Sequence, residues 1–376
     1  MIKYLGSKRV LVPVLGAMAD AAGARTAVDL FSGTTRVAQE FKRRGIHSTA
    51  ADRATYTGVL AGCYIATDAR AVDRDHLAAI LADLQATRPV RGYVTETFCE
   101  LARYFQPKNG MRIDAIRQRI EDEHAGTELY PVLLTSLMEA ADRVDSTTGI
   151  QMAYLKDWAP RSVRDLELRV PVLLDGPGAS VTGDVMQTVD ALPAVDLCYV
   201  DPPYNQHRYF ANYHVWETLV RWDAPEHYGV ACKRVDVRED ETRSVFNSRR
   251  TMPAALADVL SRVRARTVIL SYNDESWITA EQMAGMLRDA GHEAVEVFAF
   301  DSKRYVGAQI GIHSPAGKKV GVVSHLRNTE YVFVAGEAET VRDVAAEFAG
   351  ADGAVGRRSP VLDRTAAALG TLSTDL

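Results

Sequence analysis

A strand, a loop of small residues, a helix and a second strand follow one another near the start of the chain, and this succession constrains the fold most. The four segments are Thr26–Leu30 and residues 31–35, 36–44 and 46–51. The two outer runs are apolar enough for buried strands, and the helix has one apolar face and ends at Gly45. Together they predict an α/β fold with a doubly wound sheet, whose parallel strands are joined by right-handed crossovers.

Further strands and helices are predicted along the rest of the chain. The expected strands are Val195–Val200 and residues 267–271 and 292–298, with residues 321–323 and 330–334 paired as a hairpin across residues 324–329. A helix capped by Ser7 is expected over residues 7–22, and a second helix over residues 279–290. From Gly350 onward the composition predicts a loosely ordered tail.

Residues 68–178 differ from their surroundings, because helices of mixed charge follow one another there without alternating strands. The helices are expected at residues 76–84, 113–123 and 131–144. We interpret this segment as an insertion that divides an α/β domain into residues 1–67 and 179–335. Residues 336–376 then form a C-terminal helix and the tail.

The composition excludes several classes of protein. With a net charge of −5, a contact with nucleic acid must use a local basic surface rather than bulk charge. No apolar run approaches the roughly 20 residues of a membrane helix, and the N-terminus lacks the apolar core of an export signal. Cys63, Cys99, Cys198 and Cys232 are far apart, without CxxC spacing. We therefore expect a cytoplasmic protein with reduced cysteines, no membrane contact and no metal.

The tetrapeptide Asp201-Pro202-Pro203-Tyr204 is the strongest chemical signal, because it directly follows the predicted strand Val195–Val200. Ligands of open α/β sheets bind at the carboxyl ends of strands. The prolines restrict the backbone, so the Asp201 carboxylate and the Pro202 carbonyl can accept from one amino group. Tyr204 offers a face on which a heterocycle can stack. The alternative interpretation is an ordinary turn at the end of a strand.

Such a site suits methylation of an exocyclic amino group on a base. The lone pair of an aromatic amine is delocalised, and two acceptors outside the ring plane favour a pyramidal nitrogen that can attack an electrophilic methyl group. The carboxylate stabilises the developing positive charge, and the proton leaves to Asp201 or to water. A base inside a duplex must first be flipped out, and stacking on Tyr204 can offset about 1–3 kcal/mol of that cost.

A second group of residues predicts a site for a nucleoside-like cofactor. The loop that follows the first strand has the residues Asp29, Leu30, Phe31, Ser32, Gly33, Thr34 and Thr35. Its small residues let a ligand approach the backbone near a helix N-terminus, but it has neither phosphate-binding glycine pattern. Asp52 is placed to accept hydrogen bonds from ribose hydroxyls, although an Asp at the end of a strand is often a turn or cap residue.

With these motifs the sequence resembles the D12-class, Dam-like, adenine-specific DNA N6-methyltransferases, which include many type II restriction-modification methylases. The segments that carry the resemblance are Tyr4-Leu5-Gly6-Ser7-Lys8, residues 29–34 and residues 201–204. Cofactor motifs before the insertion and the catalytic motif after it are similar to the family's alpha arrangement. Asp rather than Ser at position 201 is similar to the N6-adenine enzymes.

The resemblance implies a Rossmann-like methyltransferase that uses S-adenosylmethionine and modifies an adenine flipped out of double-stranded DNA. It implies that the cofactor pocket is lined by Tyr4, Lys8, Phe31, Asp52, Asp184 and Val185. Asp184 would accept from the amino group of the cofactor's adenine, and residues 68–178 would recognise the target sequence. A restriction-modification or related defence system is implied, in which any restriction endonuclease is a separate polypeptide.

Contacts with DNA must come from particular clusters, because residues 68–178 hold 14 Lys and Arg against 18 Asp and Glu. In the segment 103–112, we expect Lys108, Asn109 and Arg112 to meet phosphates or base edges. The alternative is a solvated loop with Tyr104 and Phe105 in the core.

Further candidates for DNA contacts follow the catalytic motif. We expect Arg208 or Lys233 to meet phosphates, while Tyr213 and Trp216 are equally well explained by core packing. Residues 271–274 are candidates for the border of the base pocket. A basic face of the C-terminal hairpin would consist of Lys303, Arg304, Lys318, Lys319 and Arg327.

Two other functions are compatible with the motifs. One is methylation of RNA or of cytosine N4, and the other is a catalytically silent DNA-binding protein, against which the intact Asp201 and Tyr204 argue.

Overall fold

The computed structural model describes residues 2–4, 8, 11–203, 208–274, 276–303, 327–349 and 357–358. Its strands are β1 (Thr26–Leu30), β2 (His47–Asp52), β3 (Gly178–Thr182), β4 (Val195–Val200), β5 (His227–Tyr228), β6 (Lys233–Arg234), β7 (Ala265–Asn273), β8 (Ala294–Lys303), β9 (Arg327–Gly336) and β10 (Arg357–Arg358).

The α-helices are α1 (Val12–Ala21), α2 (Arg36–Arg43), α3 (Thr55–Ala61), α4 (Arg74–Gln85), α5 (Tyr93–Thr95), α6 (Pro107–His124), α7 (Tyr130–Arg143), α8 (Val185–Thr188), α9 (Tyr209–Asn212), α10 (His214–Arg221), α11 (Met252–Arg262), α12 (Ala280–Asp289) and α13 (Ala338–Ala349). Two π-helical segments cover Gly62–Ala66 and Glu96–Leu101. Short 3-10 segments cover Pro160–Val163, Val189–Ala191, Val235–Arg238, Asp240–Thr242 and Val245–Asn247. The predicted α/β class is confirmed.

The chain divides into two compact units. The first consists of Met1–Ser7, Ser32–Asp184 and His207–Ser244, and the second of Lys8–Phe31, Val185–Gln206 and Val245–Leu376. Residues 68–178 therefore belong to the same unit as β2, α3 and α10.

The first unit is mostly helical. Its strands β2 and β3 pair in parallel, and β5 and β6 form a short antiparallel hairpin. Helices α3, α6, α7 and α10 enclose its apolar core, which includes Phe98, Ile116, Leu133 and Trp216. As expected, residues 68–177 contain no strand.

The second unit contains six strands in the order β10-β8-β9-β7-β4-β1. Strands β1, β4 and β7 are parallel neighbours, and the strands from β7 through β9 and β8 to β10 are antiparallel. Helices α12 and α13 pack on β8 and β9. The buried runs Thr26–Leu30 and Val195–Val200 have the predicted bounds.

The predicted hairpin of residues 321–323 and 330–334 is wrong. Residues 330–334 do form a strand, but both of its edges are occupied, one by β7 and the other by β8. A strand has only two hydrogen-bonding edges, so no third partner fits. Residues 321–323 lie outside the described residues.

Two helices begin at positions other than those predicted. Helix α1 starts at Val12 rather than at residue 7, with Pro13 in its first turn, where a missing N–H costs nothing. Helix α6 starts at Pro107 rather than at residue 113, for the same reason. Position 110 inside α6 requires glycine because a Cβ there would overlap the Cys99 Sγ.

Three observations bear on the expectations from composition. All four cysteines are free and buried. Among the residues that the structure describes, none of the helices combines the length and apolar character that crossing a bilayer requires. Within the same residues, no cluster of three His, Cys, Asp or Glu side chains is arranged for a metal ion.

The buried carboxylate of Asp114 organises the start of α5. It accepts hydrogen bonds from the backbone N–H groups of Gly92, Val94 and Thr95, and from the Thr95 hydroxyl. Burial raises its pKa, while these four donors oppose the rise. The side chain thus satisfies polar groups that would otherwise be buried without partners.

We expect Asp114→Ala to lower the free energy of unfolding by about 2 kcal/mol or more, because several buried donors lose their acceptor. Urea unfolding of the full chain followed by circular dichroism measures this. Asp122→Ala on the same helix is the matched control, since Asp122 is exposed and its carboxylate bonds only to Gln118. Equal effects of the two substitutions would contradict the prediction.

Candidate active site

Asp201 directly follows β4 and is bonded to two side chains of the second unit. Its Oδ1 lies 3.2 Å from the Lys8 Nζ and accepts a hydrogen bond from the Ser271 hydroxyl at 3.1 Å. Because Ser271 has one proton to donate, the Tyr199 hydroxyl, 2.6 Å away, donates to Ser271. Among the described residues, both partners of the carboxylate therefore use Oδ1. Oδ2 can therefore accept a hydrogen bond from a bound ligand.

The environment of Asp201 makes its carboxylate unusually basic. Burial raises its pKa to about 6, the Lys8 ammonium lowers the pKa, and the Glu330 carboxylate raises it. About a fifth of the side chain is still exposed, at 20%. The group is therefore both accessible and able to take a proton near neutral pH.

Lys8 bridges two carboxylates. Its Nζ donates to the Glu330 carboxylate in addition to pairing with Asp201. The side chains of Lys8 and Glu330 are each only 9% exposed. The sequence predicted Lys8 as a cofactor ligand, and the structure places its ammonium at the catalytic motif. Sequence reasoning missed Glu330, because nothing in its local pattern distinguishes it from other residues of a strand.

The other members of the catalytic motif are described in part. Pro202 is buried and Pro203 half-buried. Tyr204 lies outside the described residues, so its stacking role stays a prediction. Ser271, which was expected at the border of the base pocket, contacts Asp201 directly.

The loop between β1 and α2 has an unusual backbone. Phe31, Gly33 and Thr35 all have positive φ, at 61°, 51° and 60°. Bulky and β-branched residues rarely adopt this conformation, and such strain concentrates at ligand sites. A Cβ at Gly33 would lie 3.1 Å from the Tyr4 Cε1, so glycine also permits a close approach to Tyr4.

Asp52 holds this loop in place. Its Oδ2 accepts from the Gly33 N–H at 2.8 Å, and its Oδ1 accepts from the Ala54 N–H and the Thr57 hydroxyl. These bonds use three of about four acceptor positions of a carboxylate. Among the described residues, one acceptor position on Oδ2 is not used, and the bond to a ribose hydroxyl stays a prediction.

Tyr4 lies against two other tyrosines in the first unit. Its ring stacks on Tyr213 and Tyr209, with centroid separations of 4.6 and 5.6 Å. Burial strongly raises the pKa of Tyr4, so its hydroxyl stays protonated at neutral pH. Tyr213 is fully buried, as the packing interpretation of the sequence had it.

The part of this loop in the first unit fits a nucleoside-like cofactor. The Ser32 hydroxyl is buried and has no hydrogen-bond partner among the described residues. Ser32 lies between Phe31 and Gly33, and the missing side chain of Gly33 lets a ligand approach the backbone. An unpaired buried hydroxyl, in the loop whose Gly33 N–H bonds to the Asp52 carboxylate, matches the hydrogen-bonding groups of a ribose.

These motifs lie within the part of the chain that matches a known protein family. The model of the D12 class N6 adenine-specific DNA methyltransferases matches residues 4–286. The chain belongs to this family. The match includes the Tyr4 segment, the loop around Gly33 and the Asp201 motif, and it ends before Glu330.

The chain is also similar to several modification methylases and type II methyltransferases. Modification methylase StsI from Streptococcus sanguinis is 29% identical over 307 residues, which are 77% of this chain and 46% of StsI. Type II methyltransferase M.FokI from Planomicrobium okeanokoites is 30% identical over 54% of this chain and 32% of its own length. The chain thus spans less than half the length of these two relatives. Type II methyltransferase M.NlaIII from Neisseria lactamica is 29% identical over 68% of this chain and 77% of its own length.

The remaining predicted cofactor residues of this D12-class chain have protein partners or buried positions. The Asp184 carboxylate lies 3.4 Å from the Arg53 guanidinium. In the second unit, Asp29 and Val185 are buried, and Phe31 packs edge-on against Phe246. Thr34 is buried in the first unit. Their contacts with the cofactor stay predictions.

The residues predicted to meet DNA have different surroundings. Asn109 is fully buried and bonds to the backbone of Arg164 and Leu166, which argues against its prediction as a DNA contact. Lys108 is half-exposed and pairs with Asp165 at 2.6 Å. Arg112 donates to the Gln85 carbonyl.

The core alternative for segment 103–112 is confirmed in part, since Tyr104 and Phe105 are buried. Trp216 is buried as well. Arg208 is exposed and Lys233 is half-buried, so both stay predictions. The side chains of the predicted basic C-terminal face lie outside the described residues.

We expect Gly33→Ala to lower the free energy of unfolding by more than Gly45→Ala. Both positions have positive φ, which costs an alanine about 1–2 kcal/mol, but a Cβ at Gly45 meets no atom within 4 Å. The difference between the two variants in urea unfolding thus measures the contact with Tyr4. Equal losses would show that Tyr4 does not confine the loop.

Proposed function

We propose that this chain transfers a methyl group from S-adenosylmethionine to the N6 amino group of an adenine flipped out of double-stranded DNA. The observation that carries the proposal is the Asp201 carboxylate, with its basic character and an Oδ2 that has no partner among the described residues. The family membership supports the adenine N6 group as the acceptor.

The chemistry assigned to Asp201 follows from its surroundings. Oδ2 accepts a hydrogen bond from the N6 amino group and, with the Pro202 carbonyl, favours a pyramidal nitrogen. Bound S-adenosylmethionine supplies an electrophilic methyl group on a sulfonium. Transfer of this methyl group to N6 would leave S-adenosylhomocysteine, and Asp201 would accept the proton that N6 loses. A carboxylate with a pKa of about 6 accepts this proton and returns it to water at neutral pH.

The cofactor is proposed to bind in the first unit at the loop around Gly33. Ser32 and Asp52 would bond to the ribose, and Tyr4 would offer an apolar face. The site roles of Lys8, Asp184 and Val185 toward the cofactor are part of the same proposal. For Lys8, the pairing with Asp201 favours a role at the Asp201 carboxylate rather than a bond to the ribose.

Recognition of double-stranded DNA is proposed for residues 68–178, with phosphate contacts from Lys108, Arg208 and Lys233. The names of the relatives StsI, M.FokI and M.NlaIII support a modification component of a restriction-modification system. Any restriction endonuclease is then a separately encoded partner.

The proposed activity is tested with purified protein and S-adenosylmethionine labelled in the methyl group. Double-stranded DNA, single-stranded DNA and RNA are offered in parallel, and the modified nucleoside is identified by mass spectrometry. We expect N6-methyladenine in double-stranded DNA. Label in cytosine N4, label in RNA alone, or no transfer at all would each contradict the proposal.

We expect two Asp substitutions to separate catalysis from cofactor binding. Asp201→Ala should lower the rate of methyl transfer by about 10²-fold or more, because the proton acceptor is lost. Its affinity for S-adenosylhomocysteine, measured by calorimetry, should stay close to that of the wild type. Asp52→Ala should weaken that affinity by about 10-fold or more, since a charged hydrogen bond contributes about 1.5–3 kcal/mol. The reverse pattern would refute the assignment of the two roles.

A further inference from the structure

Glu330 lies on β9 and contacts the catalytic motif through one lysine. It is 7% exposed, and its carboxylate accepts from the Lys8 ammonium, which also pairs with Asp201 at 3.2 Å. The family match ends at residue 286, so Glu330 lies beyond the matched part of the chain.

The sheet register fixes where Glu330 stands. Glu330 pairs with Asn273 across the antiparallel β7 and β9, so the two side chains share one face of the sheet. Ser271, two positions before Asn273, faces the same way and bonds to Asp201. Across the parallel β4 and β7, Val200 pairs with Leu270, which brings Asp201 level with Ser271. The position of Glu330 beside Lys8 thus follows from the same strand pairing that places Asp201.

We propose that Glu330 is a positioning residue, which shares the Lys8 ammonium with Asp201 and so keeps the Asp201 carboxylate basic. The proposal rests on the proposed function. Lys8, Asp201 and Glu330 together carry one net negative charge when all are ionised. This charge favours the positive charge that develops on the N6 amino group.

Glu330 limits how strongly the Lys8 ammonium lowers the pKa of Asp201. Without that carboxylate, the Lys8 ammonium keeps its pairing with Asp201 and no longer shares it with Glu330. An opposite charge at this distance stabilises the ionised carboxylate and makes it a weaker base. A shared lysine offers only part of its charge and donors to Asp201. Lys8 then orients Oδ1 while Oδ2 keeps its affinity for protons.

Among the residues that the structure describes, the charged and titratable groups that face Asp201 come from three parts of the chain. Lys8 precedes α1, Glu330 belongs to β9, and Tyr199 of β4 reaches Asp201 through Ser271 of β7. The pKa of Tyr199 is raised well above its usual value by burial, so this residue stays neutral. The two charges that differ among the test variants are therefore those of Lys8 and Glu330.

The test measures the pKa of Asp201 in the full-length protein by NMR, from the pH dependence of its ¹³C-labelled carboxyl signal. Asp201→Asn identifies the signal by removing it. Glu330→Gln should lower this pKa below that of the wild type, and Lys8→Met should raise it by about 1 pH unit or more. In Glu330→Gln, kcat for DNA methylation should fall by about 10-fold, with little change in the KM for DNA.

A double variant measures the effect of Glu330 in the absence of Lys8, and a control variant removes a charge elsewhere in the same unit. In Lys8→Met/Glu330→Gln the two effects oppose each other, so the Asp201 pKa should lie below that of Lys8→Met alone. This holds even if Glu330→Gln alone fails to fold. Asp190→Asn removes an exposed ion pair of the same unit, Asp190 with Arg262 at 2.6 Å, and should leave the pKa and the rate unchanged.

The proposal is overturned if Glu330→Gln leaves the Asp201 pKa unchanged or raises it, or if the double variant matches Lys8→Met. Because the NMR measurement needs no substrate, these outcomes are separate from a failure of the proposed function. That failure is an absence of methyl transfer by the wild-type protein to adenine in DNA.

Discussion

The arrangement of the candidate active site depends on one interaction, in which the Lys8 ammonium pairs with both Asp201 and Glu330. Two carboxylates, Asp201 and Glu330, would repel each other in a partly buried place, and the lysine between them makes their proximity tolerable. Removing one member of such a group leaves an uncompensated charge, which costs far more than the whole group contributes to stability. The arrangement therefore holds three side chains from distant parts of the sequence in one geometry.

Local sequence patterns predicted the parts of the fold that local interactions determine. The apolar runs predicted the first and last residues of β1 and β4 correctly. The motif after β4 predicted the position of Asp201. The partner of Asp201 was not predictable in the same way. Glu330 reaches Lys8 because β9 lies antiparallel between β7 and β8, and this pairing joins segments that no local pattern connects. The incorrect hairpin over residues 321–334 has the same cause.

The segment 103–112 shows a second limit of sequence patterns. Its mixture of Pro, Gly, amide and cationic residues is typical of a binding loop, but Pro107 begins a helix and Gly110 is required by the contact with Cys99. The Asn109 side chain hydrogen-bonds to the backbone of Arg164 and Leu166. Proline and glycine thus contribute to packing here, whereas at Gly33 the positive φ and the contact with Tyr4 shape the loop at which the cofactor is proposed to bind.

The pKa of Asp201 is shifted in the opposite direction to that of Asp196, an aspartate of the same strand region. Asp196, at the other end of β4, is a structural residue: burial acts to raise its pKa, but hydrogen bonds from Arg25 and Thr26 prevail and lower it. Its contribution to stability is present above the unfolded pKa and is lost on acidification. Asp201 has the opposite linkage, because burial raises its pKa to about 6. Its contribution is present below the unfolded pKa of about 3.9 and is lost as the pH rises through about 6. At neutral pH the ionised Asp201 therefore destabilises the fold, and the proton-transfer role proposed for this carboxylate accounts for such a cost.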